Sequence, residues 1–342
     1  MGAPTLRSPS SRPVSMAEVA KAAGVSQQTV SRVVNDLPNV RDATRERVRR
    51  AMDELGFRPN YSGRALRCGR YNSIGLSLYN VAQYGNLATF KGILSAAREH
   101  HYAINVVELG TDAPVSLADV TRRMMGLPVD GLIVSMSIRA SDFDEFRPHP
   151  RLSTVLLTMY DHPLCTTVDS DQYACSELVM DYLLSRGHRQ IRFVSGPVYV
   201  VDSIFRERGW RDALEAHGIP VVEPLRGDWS ARSGYEAGAR LASDREMTAV
   251  YAANDQMAVG VIEALRDAGR RVPEDVSVVG VDDSLAETLP FSSLTTVRFD
   301  LFERGRRAFE QALLGSAPGH RPERIRIAPT LVERDSVRDA RL

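Results

Sequence analysis

Between residues 72 and 334, short apolar runs alternate with amphipathic stretches, and no other feature constrains the fold as tightly. Ser73-Ile-Gly-Leu-Ser-Leu78, Ala103-Ile-Asn-Val-Val107, Asp130-Gly-Leu-Ile-Val134 and Thr154-Val-Leu-Leu157 make a first set of strand-like runs. Ile191-Arg-Phe-Val194, Thr248-Ala-Val-Tyr-Ala252 and Val276-Ser-Val-Val-Gly-Val281 make a second. Helical patterns lie near 88–100, 115–126, 171–186, 203–217, 231–243, 255–268 and 301–314. Such alternation predicts an α/β fold with parallel sheets and helices on both faces. Ligands then bind at the carboxyl ends of the strands. The region is long for one sheet and suits two lobes. The expected N-lobe is 72–167 with 299–320, the C-lobe is 168–298 with 321–334, and 335–342 is a tail.

Composition narrows the class. The chain has 342 residues, of which 43% are apolar, which excludes a mostly disordered protein. No apolar run approaches the roughly 18–20 residues of a membrane helix. Residues 1–12 carry no apolar stretch and read as a flexible tail rather than a secretory signal. Cys68, Cys165 and Cys175 are scattered, with no C-x-x-C spacing, against a disulfide framework or a structural zinc. A cytoplasmic protein is expected.

Equal numbers of acids and bases hide an asymmetry. Thirteen of the 43 Lys/Arg but only six of the 43 Asp/Glu fall in residues 1–70. This basic part suits a polyanion, although an ordinary solvated surface has the same composition.

The same part reads as three short helices. Ser15-Met-Ala-Glu18 is a capping box. Val19, Ala20, Ala22 and Ala23 then give a small apolar face, and Gly24 breaks the helix. Ser26 caps a second helix in which Val30, Val33 and Val34 face inward. Gln27, Gln28, Ser31 and Arg32 are left outside. Pro38 breaks the chain again. A third helix spans about 42–55, with Val48, Ala51, Met52 and Leu55 on one stripe and Gly56 as its stop. Helix, glycine turn, helix is the pattern of a helix-turn-helix reader. Gln pairs bidentately with adenine and Arg with guanine in the major groove. Ser15, Ser26 and Thr29 sit at helix starts, where hydroxyls and amides hold phosphate. On pattern alone, a plain three-helix bundle with solvated glutamines stays open.

The run Val14-Ser-Met-Ala-Glu-Val-Ala-Lys-Ala-Ala-Gly-Val-Ser-Gln-Gln-Thr-Val-Ser-Arg-Val-Val-Asn35 closely resembles the headpiece of the lac repressor (LacI/GalR) family. So do Thr44-Arg-Glu-Arg-Val48 and Leu55-Gly-Phe-Arg-Pro-Asn60. The resemblance implies a helix-turn-helix headpiece over 13–58, in which Gln27, Gln28 and Arg32 read operator bases. Ser15, Ser26, Thr29, Ser31, Asn35 and Asn60 complete the expected DNA contacts. Arg41 departs from the family pattern, which has a capping serine there; Asp42 capping the helix and Arg41 contacting phosphate are the alternatives.

Residues 59–71 link the headpiece to the rest. Composition alone reads as a linker, too short for a stable lone helix, with Gly63 lowering helix propensity by about 1 kcal/mol relative to alanine. The resemblance implies a hinge helix that forms on operator DNA. Arg64 then meets the duplex, and Leu66 wedges into the minor groove beside its dimer mate.

The core is similar to the periplasmic sugar-binding fold that the family uses as its sensor. The likeness is strongest at Gly187-His-Arg-Gln-Ile191, Arg226-Gly-Asp-Trp-Ser-Ala-Arg-Ser-Gly-Tyr235, Ala253-Asn-Asp-Gln-Met-Ala258 and Ser277-Val-Val-Gly-Val-Asp-Asp-Ser284. Asp282 and Asn254 follow strand-like runs, Arg206 lies in the helix after 191–195, and Trp229 precedes the helix at 231. Chemically these form a sugar clamp: charged groups for vicinal hydroxyls and an indole wall for the C–H face. The resemblance implies effector contacts at all four. Tyr79, Ser135, Thr158 and Phe299 occupy further pocket positions, where the lactose-responsive pattern has serine, asparagine, aspartate and glutamine. That puts a galactoside in doubt, though not a sugar. Asp255 and Asp283 read as helix caps, and so do Asp169 and Asp171.

The expected function is a transcription regulator, most simply a repressor. It binds a palindromic operator in double-stranded DNA as a homodimer and is released by a mono- or disaccharide. No cofactor or metal is expected. A purine corepressor is the alternative ligand. A solute-binding receptor lacks support from the N-terminus. An enzyme lacks any G-x-S-x-G, phosphate loop, G-x-G-x-x-G or H-E-x-x-H signature. The end after Glu333 has no leucine heptads, which favours a dimer over a coiled-coil tetramer.

Overall fold

The computed structural model describes residues 14–34, 37–57, 69–79, 84–108, 116–286, 288, 292–315 and 319–340. The chain divides into two compact units, Met1–Tyr71 and Asn72–Leu342.

In the first unit, α1 is Met16–Ala23, α2 is Gln27–Val34 and α3 is Asp42–Leu55. The capping box forms as the sequence dictates. Ser15 Oγ accepts the Glu18 amide at 3.3 Å, and the Glu18 carboxylate accepts the Ser15 amide at 2.6 Å. Gly24 adopts φ 62° and turns the chain into α2. Val19, Ala20, Ala23, Val30, Val33, Val48 and Ala51 make the core. Arg47 of α3 donates to the Ala23 carbonyl at 2.9 Å and so holds the turn from behind. Two expected core positions differ: Ala22 and Leu55 are exposed, because three short helices close around alanines and valines and leave the flanks of each stripe outside. At the start of α3, Asp42 does not cap the helix; Arg41 occupies the N-cap with no side-chain cap bond, and Asp42 contributes charge at the helix's positive end.

The second unit contains two six-stranded sheets. In chain order its elements begin with β1 Ser73–Leu78, α4 Tyr84–Glu99, β2 Ala103–Glu108, α5 Leu117–Met125, β3 Gly131–Ser135, β4 Ser153–Leu157 and β5 Thr166–Ser170. There follow α6 Gln172–Ser185, β6 Ile191–Ser195, α7 Val201–Ala216, β7 Leu225–Arg226, α8 Ala231–Leu241, β8 Ala249–Ala252, α9 Asp255–Asp267 and β9 Ser277–Val281. The last are β10 Thr295–Arg298, α10 Leu301–Leu314, β11 Arg324–Ile327 and β12 Thr330–Val332. The first sheet has the order β11-β5-β4-β3-β1-β2 and is parallel throughout. The second has the order β12-β10-β9-β8-β6-β7, with only β12 antiparallel.

Alternation along the strands builds the cores. Leu132 and Val134 of β3 face one side of the first sheet with Leu117 and Met124, while Ile133 faces the other with Ile74 and Phe309. In the second lobe, Phe193 stacks on Trp210 at 5.3 Å between centroids and meets Tyr251 at 4.6 Å. Helices α8 and α9 approach closely because Gly234 and Gly260 lack side chains; a Cβ on either would strike backbone of the other helix.

The lobe boundaries differ from expectation. Strand β5 belongs wholly to the first sheet, so the crossing falls after Ser170 rather than at 168. Within 321–334, β11 pairs with β5 in the first sheet, and only β12 joins the second. The chain therefore crosses between lobes after β5, after β10 and after β11. Thr166-Thr-Val-Asp-Ser170, Thr295-Thr-Val-Arg298 and Arg324-Ile-Arg-Ile327 carry too many polar residues to register as apolar runs, which is why these strands were not expected. No described helix is long and apolar enough to cross a membrane.

Candidate functional site

Two surfaces carry the chemistry, one in each unit. In the first, Ser26 Oγ accepts the Thr29 amide at 3.1 Å and lies 3.0 Å from Thr29 Oγ1, which fixes the start of α2. Burial of Val30 and Val33 turns the opposite face of the helix outward. Gln27, Gln28 and Arg32 are exposed there, and their side chains make no hydrogen bond or ion pair among the described residues. Ser31 is half-buried beside them, and Ser15 is half-buried within its capping box. Asn35, Asn60, Arg64 and Leu66 lie outside the described residues.

In the second unit, the carboxyl ends of the parallel strands of both sheets enclose a cavity of about 520 Å³. Tyr79 follows β1, Ser135 ends β3, Trp229 lies in the loop after β7, Asn254 follows β8, Asp282 follows β9 and Phe299 follows β10. The topology thus gathers residues spread over more than half the chain, as strand-end sites do.

Arg206 of α7 is the centre of the second-lobe wall and only 3% exposed. Its Nε donates to Gln172 Oε1 at 2.8 Å, a second donor is taken by the Ala253 carbonyl, and Nη2 stands 3.5 Å from Asp282 Oδ1. Phe299 and Trp229 flank the guanidinium at 5.5 and 5.8 Å from their ring centres. Burial raises the Asp282 carboxyl above the usual range, and Arg206 opposes that rise. Trp229 has φ 75° and Asp282 φ 102°, conformations that cost non-glycine residues energy and persist where the surroundings impose them. Asn254 caps α9 through the Met257 amide at 2.9 Å and donates to the Trp229 carbonyl at 2.9 Å, so it shapes the wall as well as lining it.

On the first-lobe side, Asp169 and Arg304 form a buried pair at 2.8 Å, and Arg304 also donates to Thr89 and the Gly85 carbonyl. Burial lifts the Asp169 carboxyl and the adjacent guanidinium pulls it down. Loops at the mouth join the two lobes: Ile138 bridges Val200, and the Val201 amide donates to the Ser137 carbonyl at 2.9 Å. The first lobe thereby supplies the backbone cap of α7, whose own N-cap Val200 has no side-chain acceptor.

Several expectations change here. Thr158 does not line the cavity; it is fully buried, and its hydroxyl accepts the Tyr160 amide at 3.3 Å. Asp255 is not a cap, because Asn254 holds that position; it is buried and accepts from the Ser284 amide at 2.7 Å and Thr296 Oγ1 at 2.6 Å. Asp283 is not a cap either but bridges Arg298 and Arg334. Of the other two acids, Asp171 does cap α6 through the Ala174 amide at 3.0 Å, whereas Asp169 turns into the cavity. Asp169, Gln172, Asp202 and Arg304 also line the cavity, beyond the positions expected from sequence. Their signal was weak because β5 was not recognised, and the Arg304 partner lies 135 positions away.

Residues 15–60 match the bacterial regulatory proteins of the lacI family, and residues 180–337 match the periplasmic binding protein-like domain. The lactose operon repressor of Escherichia coli (strain K12) is 30% identical over 306 residues, spanning 88% of this chain and 84% of that one. This chain belongs to the lacI family. The lac repressor dimer bound to operator and the anti-inducer ONPF aligns with a TM-score of 0.82 at 27% identity, covering 96% of this chain and 100% of that one. A transcriptional regulator CelR–cellobiose complex aligns at 0.68 and 28% identity, covering 95% and 100%. As in other lacI-family chains, a helical N-terminal unit precedes a periplasmic-binding-protein-like core.

Proposed function

We propose that this lacI-family protein is a transcriptional repressor that binds a near-palindromic operator as a homodimer and releases it when a small sugar occupies the core cavity. The observation that carries the reading is the outward face of α2. Gln27, Gln28 and Arg32 stand exposed and unengaged on a helix whose start is fixed by Ser26. Amide and guanidinium groups in that arrangement match base edges of the major groove. One α2 reads one half-site, so a two-fold dimer on a two-fold site supplies affinity and register. Segment 59–71, with Arg64 and Leu66, is the hinge in this reading.

The effector reading rests on the cavity. Arg206, Asp282 and Asn254 offer aimed polar atoms, and Trp229, Phe299 and Tyr79 offer flat apolar walls, the combination a pyranose needs. Ser135 adds a hydroxyl from the first lobe. The lac repressor and CelR structures carry small-molecule effectors, ONPF and cellobiose. Walls from both lobes let occupancy bias their relative placement, and the hinge passes that bias to the headpieces. A regulator of bacterial DNA works in the cytoplasm.

The test is a random-sequence selection with the full chain, followed by fluorescence anisotropy on the selected duplex at fixed salt. A palindromic winner, bound with two protomers per duplex and released by a sugar, is the expected outcome. A winner bound only in the presence of a small molecule makes the ligand a corepressor. Absence of any sequence preference defeats the reading.

A further inference from the structure

The cavity is more acidic than a site for a neutral sugar requires. Among the described residues, four carboxylates line it, Asp169, Asp202, Asp228 and Asp282, against two guanidinium groups, Arg206 and Arg304. Both cations are already engaged: Arg304 by Asp169 and Arg206 by Asp282, Gln172 and the Ala253 carbonyl. Asp228 is occupied at the rim by the Ser230 amide and hydroxyl, at 2.9 Å for the amide. Asp202 has no hydrogen bond or ion pair among the described residues, although it is half-buried on the wall. The positive end of α7, where it sits, supplies only about half a unit charge. Its charge is felt across the cavity: it raises both Asp169 and Asp282, and it favours the charged form of Arg206, which Asp282 holds more closely.

We infer that the cavity takes a polyhydroxylated organic cation, an amino sugar, whose ammonium group is met by Asp202. A bare metal ion does not fit, because no three His, Cys, Asp or Glu side chains converge as metal donors among the described residues. An anionic ligand, such as a sugar phosphate or uronate, would face net negative charge, since among the described residues lining the cavity both guanidinium groups already have a carboxylate partner. Aromatic rings of Tyr199 and Trp229 also line the cavity and suit an ammonium group and a sugar face alike. The Tyr79 hydroxyl, buried without a partner among the described residues, is a further polar atom at the cavity. A volume of about 520 Å³ leaves room for one or two rings. The inference rests on the effector reading of this cavity and adds the ligand's charge.

The test is calorimetric titration of the full chain with glucosamine, galactosamine and the β-1,4-linked glucosamine disaccharide. Their N-acetylated counterparts, glucose, galactose, glucuronate and glucose 6-phosphate complete the panel. At least one free amine is expected to bind about tenfold or more tightly than its N-acetylated counterpart. Asp202→Asn is expected to erase that preference while urea unfolding stays cooperative. Equal or tighter binding of the neutral or anionic sugars, absence of binding by every free amine, or a preference that survives Asp202→Asn overturns the inference. Anisotropy on the selected duplex is run in parallel. Failure of the full chain to bind the selected duplex before any sugar is added speaks against the repressor reading, whereas a sugar that releases the duplex without carrying an amine overturns only the charge assignment.

Discussion

Arg304 Nη1 lies 2.8 Å from Asp169 Oδ1, tying α10 to the end of β5 in the buried wall of the cavity. Neither group has free access to solvent, so each depends on the other. Replacing Arg304 with Met strands a buried carboxylate and is expected to cost roughly 3–5 kcal/mol, read by urea unfolding at neutral pH. The double variant Asp169→Asn/Arg304→Met is expected to recover part of that loss. A single-variant cost near zero would show that water reaches the pair.

Asp255 gives the protein a pH dependence with a definite sign. Burial first, and then the nearby charge of Asp282, push its carboxyl up to about 7 from the ordinary 3.8. The folded protein therefore holds this proton more tightly than the unfolded chain. The contribution is fully present below the unfolded value and is lost as pH rises through the folded one. Across that window stability changes by at most about 1.4 kcal/mol per pH unit for one proton. Asp255→Asn cannot ionise, so the variant's stability relative to the parent is expected to improve from pH 5 to pH 8. Parallel stability curves over that range contradict the assignment.

On the DNA side, Gln27→Ala and Arg32→Ala are each expected to relax base preference at one position per half-site. The loss of discrimination should be about 1–3 kcal/mol, measured by competition among single-base operator variants. A uniform loss across all sequences would instead mark these side chains as backbone contacts.

Gly260→Ala tests the α8–α9 contact. The added methyl would strike the Ala231 carbonyl and the backbone at Tyr235, which flexible side chains cannot relieve. A destabilisation of about 1–3 kcal/mol is expected by thermal unfolding. Gly85→Ala, where a Cβ meets nothing within 4 Å, gives the comparison in a first-lobe helix. Equal effects from the two would remove the packing argument.

Much of this was readable in order along the chain. The capping box at Ser15, the Gly24 turn and the Ser26 cap are local, and each formed as expected. Strands of continuous apolar residues such as β1, β3 and β9 were legible for the same reason. Polar strands were not. The polar residues of β5 and β11 hide the lobe boundaries in the sequence, where Asp169 reads as a helix cap. Thr158 shows the converse: a position aligned with a pocket can turn its side chain back onto its own loop.

By itself the sequence determined what depends on near neighbours: helix starts and stops, the strand–helix alternation, and the outward amide and guanidinium groups of α2. Tertiary structure decided which charges became partners. Arg304 meets Asp169 and Arg334 meets Asp283 across long stretches of chain, while Asp202 has no hydrogen bond or ion pair among the described residues. Hydrogen bonds within a turn are fixed by a few dihedral angles. The balance of charge inside a cavity depends on distances that exist only after both sheets have assembled around it.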